Sequence, residues 1–418
     1  MIDAPGRRSQ SSRSALQRPS LRRQGRPSSG RSGGLGRVLL ALVIGQVGLH
    51  ATMAGLRMAV PLQALREGRS AWTVGILMSL FAAAPVLLAL QSGRRVDRHG
   101  YHRPVRLAVA FSLVGMALAL ASTAAGGGWQ LALMGGAALL TGAAANLGMI
   151  TIQRTAGLAA HTSTERVRVF SWIAIAPALA SVVGPVTAGF MIDASGFRAA
   201  YALLALLPLA TLAAARWVPV EPAAAPGRRP ASGIFQLFAT PGLRRLLFVN
   251  WLLTMCWDVH AFAVPVLGHE RGFSATTIGL VLGSFTLSVS GVRLLVPLLA
   301  HRLREVTVVR GAMLGTAVVF LLYPLAPNPA AMVACALALG VTLGAVQPMV
   351  LSTLHHMTPP QRHGEALALR SMTINASSTL MPLLFGATGA ALGAAMLFWI
   401  VGGAVGAGSW AARRLVRT

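Results

Sequence analysis

The chain has no lysine, and only 10 of its 418 residues are Asp or Glu. Charged side chains of all kinds make up 11% of it, too few to clothe a water-soluble protein of this length. The two cysteines, Cys256 and Cys335, stand 79 positions apart inside apolar runs, which excludes a disulfide framework or a thiolate metal site. No nucleophile is spaced with a base, and no His, Cys, Asp and Glu set has ligand spacing. An enzyme, a bound metal and an organic cofactor are therefore not expected. Alternating ten-residue segments are also missing, which argues against a membrane β-barrel.

What is present is apolar. Hydrophobic residues reach 55%, and the mean hydropathy is +0.65. These values describe an all-α membrane protein that crosses the bilayer many times. The net charge of +26 would suggest nucleic acid in a soluble protein. Here every basic side chain apart from histidine is arginine, and Ala, Gly and Leu abound, which is the mark of a GC-rich bacterial genome rather than of a nucleic-acid surface.

Residues 1–36 are rich in Arg, Ser, Pro and Gly with Asp3 as their one acid. They read as a disordered basic tail, or as the product of an upstream start codon. About twelve apolar runs follow, at roughly 38–65, 71–92, 105–125, 129–152, 166–192, 197–217, 245–268, 275–300, 306–326, 329–353, 365–390 and 392–412. Residues 218–244, with Pro219, Pro222, Pro226 and Pro230, interrupt the series. The expected organisation is a bundle of six helices over 37–217, a linker over 218–244, and a second bundle over 245–418. One set of loops, with both tails and the linker, holds nearly all the loop arginines; the other holds only Arg66, Arg69, Arg198 and Arg271. By the excess of positive charge on cytoplasmic loops, both termini are expected in the cytoplasm and the chain in the inner membrane.

The most informative stretch is Asn250 to Gly279. Its apolar run carries Asp258 and His260 near the middle, and Asp258 is the one acid expected at mid-membrane. A carboxylate there costs roughly 2.5–3.5 kcal/mol or more, so its default reading is functional. The same stretch repeats an earlier one. Residues 60–81 align without a gap on 264–285, matching Val60/Val264, Pro61/Pro265, Gly68/Gly272, Ser70/Ser274, Ala71/Ala275, Thr73/Thr277, Gly75/Gly279 and Phe81/Phe285. A duplicated helix–loop–helix unit follows.

After the second run comes GRRVDRHGYHRP, Gly93 to Pro104. Glycines at Gly93 and Gly100 suit close packing and a tight turn. Asp97 is placed to accept from a helix N-terminus, and Arg98 and Arg103 to hold carboxylates. This pattern resembles the loop between helices 2 and 3 of the major facilitator superfamily. The matching place in the second half, Pro297 to Arg304, retains Arg302 alone. Glu165 and Glu365 precede the fifth and eleventh runs, so two gating pairs are expected, Arg98–Glu165 and Arg302–Glu365. The fifth run, Pro177 to Phe190, resembles the Gly-Pro helix of antiporters in that superfamily through Gly184, Pro185 and Gly189, with Ala180 and Ala188 where glycine is usual. The fourth run departs from drug:proton antiporters: it has Thr141 and Asn146 in place of a mid-helix Arg, with Gln153 and Arg154 at its end.

The resemblance implies two pseudo-symmetric six-helix bundles, a central cavity lined by helices 1, 4, 7 and 10, and a monomer that moves a small molecule by alternating access. Substrate contacts are then expected from Gln46, Arg57, Asn146, Asn250, Trp257, Gln347 and Asn375. Proton coupling is expected at Asp258, with His50 or Arg57 as its partner. His260 lies two residues from Asp258 and points another way, so it is a second proton site or a packing residue. Arg154, Arg293 and Arg370 add positive charge whose role is either gate or substrate contact. The surplus of arginine over carboxylate argues against large cations. Proton-coupled export of a small amphipathic or anionic compound is the leading expectation. Proton-coupled uptake of an organic acid or nutrient is the alternative, and a non-transporting receptor a distant third.

Overall fold

The computed structural model describes residues 30–159, 163–220, 241–299, 304–358 and 362–413, and within these ranges all regular secondary structure is helical. A chain in hydrocarbon must satisfy its backbone polar groups internally, and helices do so within each segment. The first half comprises α1 (Gly30–Arg66), α2 (Ala71–His99), α3 (His102–Ser122), α4 (Gly127–Ala159), α5 (Ser163–Leu204) and α6 (Leu206–Ala215). The second comprises α7 (Pro241–Glu270), α8 (Ala275–Leu299), α9 (Glu305–Leu322), α10 (Pro329–Gly344), α11 (Val346–Met357), α12 (His363–Leu392) and α13 (Ala394–Ala412).

These helices account for twelve expected spans. The non-helical backbone of Gly196 (φ 83°) divides α5, so its last turns and α6 together form the sixth span. The tenth is α10 and α11, joined at Ala345. Ten stretches among the described residues are long and apolar enough to cross a membrane by length and composition. One of these, Trp172–Ala215, runs through the Gly196 break, and α12 is not among them.

Two boundaries differ from expectation. Helix α1 begins at Gly30, inside the expected tail, and α2 continues to His99 through most of the arginine-rich stretch read as a loop. Once a helix is nucleated, each added residue gains a hydrogen bond, so apolar length underestimates helical length. The turn itself is short: Gly100 (φ 63°) caps α2, its N–H donating to the Val96 carbonyl.

The duplicated unit is the same structure twice. Gly68 (φ 76°) and Gly272 (φ 69°) both take the left-handed turn after a helix. The Ser70 and Ser274 hydroxyls then accept from the Thr73 and Thr277 N–H groups at the start of α2 and α8. A second correspondence, set 197 positions apart, was not evident from the sequence: Pro185, Gly189 and Gly196 match Pro382, Gly386 and Gly393 (φ 84°).

The halves meet through α5 against α8 and α2 against α12. At the end away from the termini these contacts are backbone on backbone. A Cβ on Gly75 would lie 2.4 Å from the Pro382 carbonyl oxygen, and one on Gly279 2.5 Å from that of Pro185. A Cβ on Gly189 would lie 2.4 Å from the Ala275 carbonyl oxygen. Gly184, in contrast, packs within its own half, against Ala51 of α1. Pro185 thus does more than interrupt a helix, because its carbonyl rests on the other half.

Candidate functional site

Between the halves lies a cavity of about 560 Å³. It is walled by α1 (His50, Arg57), α5 (Pro177, Ser181), α7 (Asn250, Trp257, Asp258), α8 (Thr286, Arg293) and α12 (Arg370, Ser378), with Gln347 of α11 and Gln153 of α4. Gln153, Ala174 and Gln347 are solvent-exposed lining residues near the termini end, so the cavity opens there. The tight glycine contacts close the opposite end. Deeper towards that closed end, a chamber of about 200 Å³ shares His50, Arg57, Trp257 and Asp258 with the main cavity and is otherwise mostly apolar, with Met53, Leu282 and Phe285.

Asp258 stands at the neck between them and is only 5% exposed. The Arg57 guanidinium of the other half lies 3.8 Å from its Oδ1. The Ser377 and Ser378 hydroxyls of α12 each donate to it at 3.2 Å. Arg57 keeps Nε and Nη2 buried without a hydrogen bond. The pair is therefore a bridge between halves in which the guanidinium retains unspent donor capacity. Asp258 and Arg57 were expected here; Ser377 and Ser378 were not, because their positions on α12 carry no local signal.

The other arginines surround a polar mouth. Arg293 donates from Nη2 to the Gln347 Oε1 at 2.9 Å and lies over the Trp257 ring, 5.7 Å from its centroid. Arg370 is buried and donates from Nε to the Asn250 Oδ1 at 3.1 Å, leaving Asn250 Nδ2 without a partner. Trp257 packs edge-on against Phe285 at 4.7 Å. His50 borders both chambers.

His260 is 1% exposed. One ring nitrogen meets the Tyr323 hydroxyl at 3.1 Å, and the ring packs on Phe285. It also edges the deeper chamber, which reaches further around α7 than its two-residue offset from Asp258 suggested. Its polar contact is to a neighbouring helix end, which is the packing alternative.

Three expected cavity residues stand elsewhere. Gln46 is buried one turn before His50 on the face of α1 that carries His50 and Arg57, and it lines neither chamber. Asn146 shares a face with Gln153 but lies two turns deeper on α4, off both chambers. Asn375 is exposed, off the stripe of Arg370, Ile374 and Ser378 that α12 turns to the cavity. Arg154 likewise does not line it. Of the gating residues, Gly100 forms the turn, and Arg98 and Arg103 are exposed. Gly93, Asp97, Glu165, Arg302 and Glu365 lie outside the residues whose side chains are described, and so do both expected gating pairs.

One interhalf tie was not expected at all. At the closed end Asp193 of α5 accepts from the backbone N–H of Ala275 at 3.0 Å and of Thr276 at 2.6 Å, the first residues of α8. Arg66 of α1 lies 3.5 Å from the same carboxylate. A helix N-terminus has unsatisfied donors and a partial positive charge, which a carboxylate meets well.

Solved structures share this fold. The chain is similar to a point mutant of the nucleoside transporter NupG, with a TM-score of 0.73 at 12% identity over 91% of this chain and 100% of that one. It is also similar to a bacterial homologue of the iron transporter ferroportin in its inward-facing state, with a TM-score of 0.69 at 17% identity over 91% and 98%. Identities this low speak for the fold. Among curated proteins, the fatty acid resistance protein FarB of Neisseria gonorrhoeae is 30% identical over 157 residues, 38% of this chain; the match spans only 30% of that relative's length. The family model of the Major Facilitator Superfamily matches twice, over residues 42–247 and 246–418. Two matched halves, a cavity between them and no strand among the described residues agree: the chain is a membrane transporter and belongs to the major facilitator superfamily.

Proposed function

We propose that the protein exports a small anionic or amphipathic organic compound by alternating access, in exchange for protons. The observation that carries this reading is the Arg57–Asp258 pair, which joins the two halves at the neck of the cavity. A carboxylate so placed holds a proton more or less readily according to whether the guanidinium stays with it. Exchange requires the two to be bound in turn. A substrate seated at the mouth leaves the guanidinium on the carboxylate, which stays ionised, and a proton takes the carboxylate once the substrate has left. Removing the interhalf ion pair then loosens one end of the molecule.

Two features support the substrate class. Arg57, Arg293 and Arg370 face the cavity with one carboxylate between them. Below the neck the smaller chamber is apolar, so a compound with an acidic head at the mouth can bury a nonpolar part against Met53, Leu282 and Phe285. The partial likeness to a fatty acid resistance protein is in keeping with such a compound and with export. The arginine bias of the loops supports an open end in the cytoplasm, where an exporter loads. We read the working unit as a monomer in the inner membrane.

The test uses the purified transporter in proteoliposomes. A thermal-shift screen of alkyl carboxylates, aromatic acids and matched alcohols and amines identifies a ligand. Transport of that ligand is then followed with and without a pH gradient. Asp258→Asn is expected to abolish gradient-driven accumulation while leaving ligand exchange at equal pH intact. Unimpaired accumulation by Asp258→Asn would sink the proton-site assignment, and a screen in which only cations bind would sink the substrate class.

A further inference from the structure

A second basic recess lies on the outside of the first half, well away from the central cavity. It has a volume of about 620 Å³ and is bounded by α3 and α6. From α3 come Arg106, Val109, Ala110 and Leu113, at positions i, i+3, i+4 and i+7 of one helical face. From α6 and the residue that caps it come Leu212, Ala215 and Arg216, again one face. The two helices run in opposite directions. Arg106 near the start of α3 and Arg216 at the end of α6 therefore both stand at the termini end, and the two apolar stripes descend from them towards the middle of the membrane.

The recess is held open by contacts at its mouth. His102 donates from Nε2 to the Val218 carbonyl at 3.0 Å, tying the start of α3 to the chain beyond α6. The Arg216 guanidinium lies 5.4 Å from the centroid of the Trp217 ring. Tryptophan is the residue of the membrane–water boundary, which sets the mouth at headgroup depth. Arg106 and Arg216 are both exposed, and among the described residues no acidic side chain borders the recess. An arginine that only snorkels needs no neighbour, whereas here two guanidiniums converge above a shared apolar groove.

We infer that this recess is a binding site for an acidic phospholipid of the leaflet at the termini end. The phosphate sits between Arg106 and Arg216, and one acyl chain lies along Ala110, Leu113 and Leu212. The seven-residue stripe from Arg106 to Leu113 spans about 10 Å at the rise of an α-helix. That is most of one leaflet's hydrocarbon depth, about 15 Å. Charge decides the lipid class: juxtamembrane arginines favour anionic over zwitterionic headgroups, and basic recesses between spanning helices hold such lipids. The site is independent of how the central cavity works.

The test is native mass spectrometry of the full chain, purified in mild detergent and titrated with phosphatidylglycerol, with phosphatidylcholine, and with inorganic phosphate alone. The wild type is expected to retain phosphatidylglycerol about tenfold better than phosphatidylcholine. The double variant Arg106→Gln/Arg216→Gln is expected to lose most of that preference. Leu212→Trp fills the groove while leaving both charges, and is expected to lower retention of phosphatidylglycerol at least fivefold; it decides the matter alone if the double variant does not fold. Equal retention of both lipids, retention unchanged in the variants, or a response to inorganic phosphate without lipid retention would each overturn the assignment.

Discussion

Replacing Asp193 with alanine should shift the protein towards the state open at the end away from the termini. The size of the shift follows from what the carboxylate holds. It accepts from two N–H groups at the start of α8, and losing a helix cap costs about 1 kcal/mol. Its charge beside the helix N-terminus adds about 0.3–1 kcal/mol. Arg66 contributes little, because that pair is exposed on both sides (36% and 28%) and screened by solvent, and exposed pairs are worth about 0–1 kcal/mol. Ser274 still caps α8 through Thr277, so the helix itself survives. The sum is about 1.5 kcal/mol, all of it specific to the closed arrangement, or roughly a tenfold change in the equilibrium. A minor state of about 1% would rise to about 10%. Spin labels at Ala124 and Pro327, exposed turns of the two halves at that end, would report it as a growing long-distance population. Asp193→Asn, which keeps an acceptor and loses the charge, should fall between. Identical distance distributions for wild type and Asp193→Ala would refute the tie as a gate element.

The glycine contacts make a related prediction: Gly75→Val and Gly279→Val should each disfavour the closed end by about 1–3 kcal/mol, since carbonyl oxygens at 2.4 and 2.5 Å cannot yield to a side chain. The same label pair reads this out, and the two variants should behave alike because their contacts are alike. Arg57→Ala leaves Asp258 buried beside two hydroxyls and should lower stability by about 2 kcal/mol, less than the 3–5 kcal/mol of a fully buried pair because the cavity hydrates it. Adding Asp258→Asn should restore the melting temperature without restoring gradient-driven transport. Tyr323→Phe strands a ring nitrogen of His260 and should cost about 1–2 kcal/mol in thermal unfolding, with coupling to the pH gradient unchanged. Loss of coupling there would return His260 to the proton path.

The architecture was largely legible because hydropathy and the 204-residue repeat are written along the chain. Asp258 was legible for a related reason: a lone acid in an apolar run stands out at any depth. Its partners divide by how they are encoded. Arg57 could be reached by counting charges. Ser377 and Ser378 could not, because they approach from 119 and 120 residues away and depend on how α12 is rotated against α7. The same dependence misplaced Asn375, one residue off the Arg370–Ile374–Ser378 stripe. Asp193 was passed over because an acid near a helix end looks ordinary until the facing helix is known. The antiporter-like Gly-Pro stretch has a partial echo in the other half, where Pro382 and Gly386 keep the spacing of Pro185 and Gly189 but Met381 stands in the place of Gly184.

That reproduction has a further consequence. Pro185 of the first half rests on Gly279 of the second, and Pro382 of the second rests on Gly75 of the first. Residue i meets j and, in the matching place, j meets i, which is the signature of an isologous interface between two copies of one subunit. Each half therefore carries both surfaces needed to dock against its twin. A single ancestral half could have closed this end as a symmetric dimer, and the covalent linker later released each copy to diverge. Asp193, whose counterpart is Ala390, and Asp258, whose counterpart is Ala54, are positions at which the halves differ.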